Sequence, residues 1–142
     1  MAPETPSSKV VGTVVCLPVH DLDAALVFYR KVFGVPDLEV SDGIILVELP
    51  HLSLFLIEES TFESYSRKAG RGVSYPGAGT GVILSCAIES AQALDGMLEA
   101  VASHGGSVVK QAAVEAETGL YIGYFFDPDG HHWELAYSGE SR

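Results

Sequence analysis

Residues 125–135 read FFDPDGHHWEL and concentrate side chains that could hold a metal ion, move a proton or bind a charged ligand. Imidazole is a frequent metal ligand and general base, and a carboxylate can act as a base when desolvation raises its pKa. Adjacent residues of a strand point to opposite faces of the sheet, so His132 and Glu134 share a face that His131 does not reach. This spacing offers a metal ion two ligands at most.

A β-hairpin must position these groups. The tetrapeptide DPDG predicts a tight turn, because Pro128 presets φ and Gly130 tolerates positive φ. Apolar and aromatic residues on both sides of the turn predict strands over 119–127 and 131–138. Glu134 then lies in the last strand of the chain.

The first half of the chain predicts the element order β-α-β-β-β. Residues 10–19 are β-branched and apolar, which is typical of a strand. A helix follows, with Asp21 as its N-cap and Gly34 at its end. Short strands are predicted after the helix, at 37–40, 43–49 and 51–58.

The second half repeats this order. A shift of 69 residues superposes the apolar positions of the two predicted helices, for example Phe28 on Met97 and Val32 on Val101. Ser90 is the N-cap of the second helix. A repeat of a whole supersecondary unit predicts two similar modules. The strands of the second module are predicted at 81–89, 105–111, 119–127 and 131–138.

Residues 59–80 separate the two halves. Ser60 and Glu63 have the spacing of a capping box, which predicts a short helix at the start of this segment. Gly, Ser and Pro dominate the remainder. A flap over a ligand cleft and a solvated linker both fit this composition.

Size and charge limit the classes of function. The chain has 142 residues and a formal net charge of −11, which fits one compact domain and disfavours nucleic acid as a partner. No apolar run approaches the roughly 20 residues that span a bilayer, and the N-terminus lacks signal-peptide features. We therefore predict a cytoplasmic protein without membrane partners, with a disordered tail at 1–9 and one domain at 10–138. Cys16 and Cys86 are expected to pack as small hydrophobic residues.

Two motifs in this order, LPVHDLDAALVFYRKVFG and GYFFDPDGHHWELAY, resemble the vicinal oxygen chelate superfamily. This superfamily includes glyoxalases, extradiol dioxygenases, and fosfomycin and bleomycin resistance proteins. The resemblance extends over about residues 10–138 and implies an α+β fold. Two tandem β-α-β-β-β modules, 10–58 and 81–138, would be joined by the linker 59–80 and form a curled mixed sheet. Relatives hold their ligand inside this cup, which a homodimer often completes.

The resemblance also implies where a metal would be held. Metal-dependent relatives take their ligands from inward-facing residues on the first and last strands of each module. Carried onto this sequence, those positions are Val14, Leu54, Ile83 and Glu134. Three of these side chains have no lone pair, and one carboxylate cannot hold an ion that needs four or more donors. We therefore predict no metal and no other cofactor, and leave open a divalent ion held by Glu134 and His132.

Strand alternation predicts which side chains line the cup. Tyr121 and Tyr124 lie on opposite sides of their strand by parity, so one of them lines it. Trp133, Leu135 and Tyr137 face the other way, toward packing or a dimer contact. The predicted ligand-binding residues are Val14, Cys16, Leu54, Leu56, Ile83, Ser85, His132, Glu134 and Ala136.

Three functional hypotheses follow. The first is a protein of the bleomycin-resistance type that binds a small, largely apolar organic ligand without metal, with a cationic group on that ligand left open. The second is a lyase, isomerase or dioxygenase that uses a divalent metal held by Glu134, His132 and a third, unidentified residue. The candidate catalytic residue is Glu134, which could also act as a base. The third is a family member that acts through its dimer surface while its cup is a structural relic.

Overall fold

A computed structural model describes residues 9–139. The predicted tail at residues 1–8 lies outside the described residues. The helices and strands, in chain order, are β1 (Val14–Val19), α1 (Leu22–Phe33), β2 (Val40–Ser41), β3 (Ile44–Leu49), β4 (Leu52–Glu58), α2 (Glu59–Ser66), a 3-10 turn (Arg67–Ala69), β5 (Ile83–Ala87), α3 (Ala91–Ser103), β6 (Ser107–Val114), β7 (Tyr121–Phe126) and β8 (His132–Tyr137).

The predicted helix caps are confirmed. The Asp21 carboxylate accepts a hydrogen bond from the backbone N–H of Ala24 at 3.2 Å, and Gly34 ends α1 with φ of 70°. The Ser90 hydroxyl accepts from the N–H of Ala93 at 3.0 Å. These caps satisfy backbone groups that a helix end leaves unpaired.

Three predicted boundaries are wrong. The α2 helix follows directly on β4, so Glu58 is its N-cap and Ser60 lies inside the first turn, where it makes no cap. β1 begins at residue 14 instead of 10, because its pairing with β4 begins at Val14, opposite Ser53. β2 is only two residues long, and the carbonyl of Leu38 instead accepts two hydrogen bonds from the Arg30 guanidinium, at 2.6 and 3.0 Å.

The two modules have the same topology. The first sheet has the strand order β1-β4-β3-β2 and the second has β5-β8-β7-β6, each with one parallel pair, β1 with β4 and β5 with β8. The predicted α+β fold and its internal repeat are confirmed. Between residues 9 and 139 the two sheets do not close into a barrel.

One hydrophobic core joins the modules. Phe28 and Tyr29 of α1 are fully buried, and their rings lie 6.0 Å from those of Phe125 and Trp133 in the second sheet. Burial of a large apolar side chain stabilises the fold by about 1.5–3 kcal/mol. In each sheet, helices cover one face and leave the other face open.

The helix α3 packs closely against the second sheet. A Cβ added at Gly123 of β7 would lie 2.7 Å from a methyl carbon of Leu98 in α3. Glycine therefore allows the helix to lie directly on the strand. Within residues 9–139, no helix combines the length and apolarity needed to cross a bilayer.

Candidate functional site

The open face of the second sheet carries a row of polar side chains, which we call the polar face. The register pairs Ser85 of β5 with Glu134 of β8, and Glu134 with Tyr124 of β7. Paired residues lie side by side on one face of a sheet. Three neighbouring strands thus bring a carboxylate and two hydroxyl groups together, with His132 on the same face two residues before Glu134.

Glu134 is the centre of this row. The Ser85 hydroxyl donates a hydrogen bond to its carboxylate. The pKa of Tyr124 is raised to about 12, first by desolvation and then by the neighbouring carboxylates of Glu134 and Glu115. Tyr124 is therefore protonated at neutral pH and lies beside Glu134 in the register, while the Glu134 carboxylate accepts from the Ser85 hydroxyl.

A lysine lies beyond Tyr124. The ammonium of Lys110 in β6 is 3.5 Å from a carboxylate oxygen of Glu115, and the Tyr124 hydroxyl is 3.5 Å from the same oxygen. Lys110 is opposite Tyr124 in the register, so it extends the row to the edge of the sheet. The polar face therefore carries one cation at its edge and a carboxylate at its centre.

His132 is held between a loop and two rings. Its Nδ1 is hydrogen-bonded to the Thr80 hydroxyl at 3.1 Å. The ring meets those of Tyr124 and Phe126 edge-on, with centroids 5.8 and 5.5 Å apart. Nδ1 is occupied, so Nε2 is the imidazole atom that remains for a ligand.

The open face of the first sheet is mainly apolar. The register places Cys16, Phe55 and Leu46 side by side on β1, β4 and β3. Val14 lies on the same face and is 43% exposed. We call this surface the apolar face.

Two predicted ligand-binding residues are wrong in position. Leu54 and Leu56 are fully buried in the core, because they pair with Val15 and Leu17 on the helix-facing side. Phe55 occupies the position that matches Glu134. The centre of the segment HLSLFLIE, residues 54–57, is apolar at every position, so alternation could not identify its open face.

The other predicted cup residues lie on the open faces. Val14 and Cys16 are on the apolar face, and Ile83 pairs with His132 on the polar face. Trp133 and Leu135 are buried on the helix-facing side, as predicted. The remaining predicted residues on the polar face are Ser85, Glu134 and Ala136.

The two tyrosines of β7 separate as predicted. The Tyr121 hydroxyl donates to Asp95 of α3 at 2.6 Å, on the helix-facing side. Tyr124 pairs with Glu134 and lies on the polar face. Only Tyr124 is therefore available to a ligand there.

The DPDG turn joins the two modules. The Tyr29 hydroxyl donates to the buried Asp127 at 2.6 Å, and the ring Nε2 of His131 donates to the carbonyl of Pro18 at 2.8 Å. The backbone N–H and ring Nδ1 of His20 both donate to Asp129 at 2.8 Å. Desolvation raises the pKa of Asp127, while His131 and Tyr29 oppose that effect. These groups stabilise the contact between modules and are not available as ligands.

Part of the segment between the modules is anchored. Tyr75 stacks on His20 with ring centroids 3.8 Å apart, and its hydroxyl donates to Glu59 at 2.9 Å. Desolvation and this bond raise the pKa of Tyr75 well above its ordinary value. Together with Thr80, these contacts hold the glycine-rich segment beside β1 and β8, around a cavity of about 410 Å³ that Cys16 and His132 also line.

The sequence profile of the Glyoxalase/Bleomycin resistance protein/Dioxygenase superfamily matches residues 11–135. The chain belongs to this superfamily. No curated protein sequence matches it.

Solved structures of superfamily proteins share the fold. A glyoxalase-related enzyme from Fulvimarina pelagi superposes with a TM-score of 0.76 at 25% identity, over 92% of this chain and 88% of that one. Fosfomycin resistance protein FosX from Mesorhizobium loti gives 0.62 at 14% identity, over 92% of each chain. Lactoylglutathione lyase from Agrobacterium tumefaciens gives 0.57 at 21% identity, over 94% of this chain and 96% of that one.

The superfamily's expected metal positions are poor in donors here. Val14 and Ile83 have aliphatic side chains, and Phe55 replaces Leu54 as the match to Glu134. Residues 9–139 contain no group of three His, Cys, Asp or Glu side chains arranged to hold an ion. Because Glu134 and His132 supply two donors, the residues present do not fit a divalent metal that needs four.

Lys110, Glu115 and Thr80 were missed by the sequence analysis. The register of β6 shifts on both sides of Lys110, so simple alternation cannot assign its face. Thr80 lies in the glycine-rich segment, whose path follows from tertiary contacts. Lys110 lies five residues before Glu115, and this spacing does not distinguish the two from an ordinary surface pair.

Proposed function

We propose that this superfamily member binds a small organic ligand without metal, and that the ligand has a largely apolar body and a cationic group. The observation that carries the proposal is the row Ser85, Glu134 and Tyr124 on the polar face. A ligand cation would be attracted by the Glu134 carboxylate, and charge-assisted hydrogen bonds are stronger than neutral ones. The formal charge of −11 also favours a cation.

Apolar groups surround this carboxylate. Phe126, Ile83 and Ala136 share the polar face with Glu134. Ligand sites usually combine apolar walls with a few placed polar groups. The row therefore supports binding of an amine that carries an aromatic or aliphatic body.

A homodimer would complete the site. Val14 and Leu46 on the apolar face are each 43% exposed, and Ile83 on the polar face is 53% exposed. Exposed apolar side chains of this size are typical of an interaction surface when they cluster. We propose that the apolar face of one copy covers the ligand on the polar face of another. Light scattering after size-exclusion chromatography should give twice the mass of 15.1 kDa, and a monomer at all concentrations would remove this part.

Calorimetric titration tests the ligand class. The matched pair is 2-phenylethylamine and 2-phenylethanol, which differ in charge at neutral pH. We expect the amine to bind about tenfold more tightly, as expected for one charge-assisted hydrogen bond. Glu134→Gln should abolish this preference. Glu99→Gln, an equal change of charge on the exposed side of α3, should preserve it. Equal affinities for amine and alcohol in the unchanged protein would contradict the proposal.

A metal-dependent lyase, isomerase or dioxygenase is the second candidate. One observation favours it: His132 and Glu134 lie on the same open face. Elemental analysis of protein purified without chelators decides between the two. A stoichiometric divalent metal that Glu134→Gln removes would support the enzyme and end the metal-free proposal.

A further inference from the structure

A second cavity, of about 780 Å³, lies where the end of α1, the β3–β4 turn, β5 and α3 meet. Its floor is apolar and includes Phe33, Leu84, Met97 and Trp133. Cys86 also lines it, and burial raises the pKa of this thiol, so the side chain is neutral. Ser85 is the one residue of the polar-face row in its lining. This cavity is therefore a separate concave site of the size that small ligands occupy.

Two opposite charges lie at this cavity. Lys31 is in the last turn of α1 and Glu89 follows β5, and both side chains are exposed. Within residues 9–139, neither has an ion pair or hydrogen bond. The Lys31 ammonium and the Glu89 carboxylate are also more than 4.0 Å apart, so they do not form an ion pair with each other. The cavity thus combines an apolar floor with one free cation and one free anion.

Gly96 of α3 is a second sign of an occupant. Glycine in a helix interior is less stable than alanine. A Cβ at Gly96 would meet nothing within 4 Å, so packing inside the chain does not require glycine there. Gly96 lines the cavity, and the missing side chain leaves room beside Met97.

His51 adds a further local cost at the same place. It lies in the β3–β4 turn with φ of 67°, in the left-handed region that non-glycine residues seldom adopt. His51 also lines the cavity. His51 and Gly96 therefore both line this cavity.

We infer that this cavity binds a small zwitterion with an apolar body, of the chemical class of an apolar amino acid. The carboxylate of the ligand pairs with Lys31, its ammonium group pairs with Glu89, and its side chain packs on the partly exposed Phe33 and Met97. Glu134 does not line this cavity, so this inference can be tested independently of the proposed function.

Four matched probes test the charge pattern by calorimetry. Free phenylalanine carries both charges, its amide carries the cation alone, N-acetylphenylalanine carries the anion alone, and N-acetylphenylalanine amide carries neither. The titrations are run at a pH of about 6.5, below the ordinary pKa of an α-amino group. We expect free phenylalanine to bind at least about tenfold more tightly than each of the others, as for a charge-assisted bond. Equal or tighter binding of any other probe would overturn the inference.

Variants assign the binding to this cavity. Lys31→Gln should reduce the affinity for free phenylalanine to that for the amide, and Glu89→Gln should reduce it to that for the N-acetyl acid. Lys68→Gln and Glu99→Gln are matched charge controls away from the cavity, and both should leave the affinity for free phenylalanine unchanged. Glu134→Gln should also leave this binding unchanged.

Gly96→Leu fills the cavity from a position where an added Cβ meets nothing within 4 Å. The variant should melt at the same or a higher temperature, because leucine favours the helix and the position is open. It should bind free phenylalanine at least about tenfold more weakly. Ala102→Leu, at an exposed position of the same helix, should bind normally. Unchanged binding of free phenylalanine by Gly96→Leu would overturn the site. The site would also be overturned if the affinity for free phenylalanine fell as the protein concentration rose, because a second copy of the chain would then fill the cavity.

Discussion

The two open faces show that one backbone plan carries two chemistries. At matching positions of the register, the polar face has Ser85, Glu134 and Tyr124, whereas the apolar face has Cys16, Phe55 and Leu46. The strand orders are the same, so the backbone does not explain the difference. Side chains on an open face contribute little to the core and can change while the fold persists. The repeat therefore preserves the core and lets each half specialise.

The two sheets differ in their open faces but share one hydrophobic core, so they should not unfold separately. Trp133→Ala should lower the free energy of unfolding by about 3–5 kcal/mol, since it removes a fully buried ring between the modules. Urea denaturation followed by circular dichroism should still give a single transition. A first transition confined to half of the signal would show that the modules unfold independently.

The hydroxyl of Tyr29 links the halves through the DPDG turn. Tyr29→Phe removes the donor to Asp127 and the acceptor for the Trp133 indole N–H, and should cost about 1–3 kcal/mol. Tyr65→Phe is the control, because Tyr65 is exposed. A Tyr29→Phe protein as stable as the control would mean that the turn does not hold the modules together.

Phe55→Glu transfers the central carboxylate to the apolar face. The single variant should be less stable by about 1–3 kcal/mol, because the half-buried carboxylate would have no partner. Adding Cys16→Ser and Leu46→Tyr copies the polar row and should recover about 1 kcal/mol. Denaturation at pH 7 measures both steps. If the triple variant were no more stable than the single one, the two hydroxyl partners would not be what supports Glu134.

The smallest expected effect is spectroscopic. Tyr124 should ionise with a pKa of about 12, compared with an ordinary value of 10.0. A raised folded-state pKa gives stability that is fully present below pH 10 and lost as pH rises through about 12. Glu134→Gln should lower the pKa of Tyr124. Ultraviolet titration of tyrosinate, with Tyr124→Phe to assign the signal, measures the shift, and an unchanged pKa would remove Glu134 as its cause.

Much of the fold could be predicted from the sequence. The caps at Asp21 and Ser90 and the two repeated modules follow from local patterns, because each depends on residues close together in the chain. The boundaries at Ser60 and residue 10 could not be predicted, since α2 starts where β4 ends and β1 starts where its partner does. The absence of a metal, the homodimer and the cytoplasmic location stay predictions.

The candidate site was predicted in part. Parity placed His132 and Glu134 together and His131 on the other face, because β8 alternates clearly between buried and open positions. Leu54 and Leu56 were misplaced because β4 is apolar on both faces. Lys110 was missed because its strand is irregular.

By itself the sequence determined the α+β order, the internal repeat, and the shortage of donor side chains at the positions that the resemblance to the superfamily assigns to metal ligands. Only the tertiary structure decided that Phe55 and not Leu54 faces outward, that His131 and His20 are committed to the contact between modules, and that Lys31 and Glu89 line the same cavity. The physical reason is the distance along the chain over which each interaction acts. Caps and periodicity act over a few residues, whereas strand register and the meeting of distant side chains depend on how the whole chain packs.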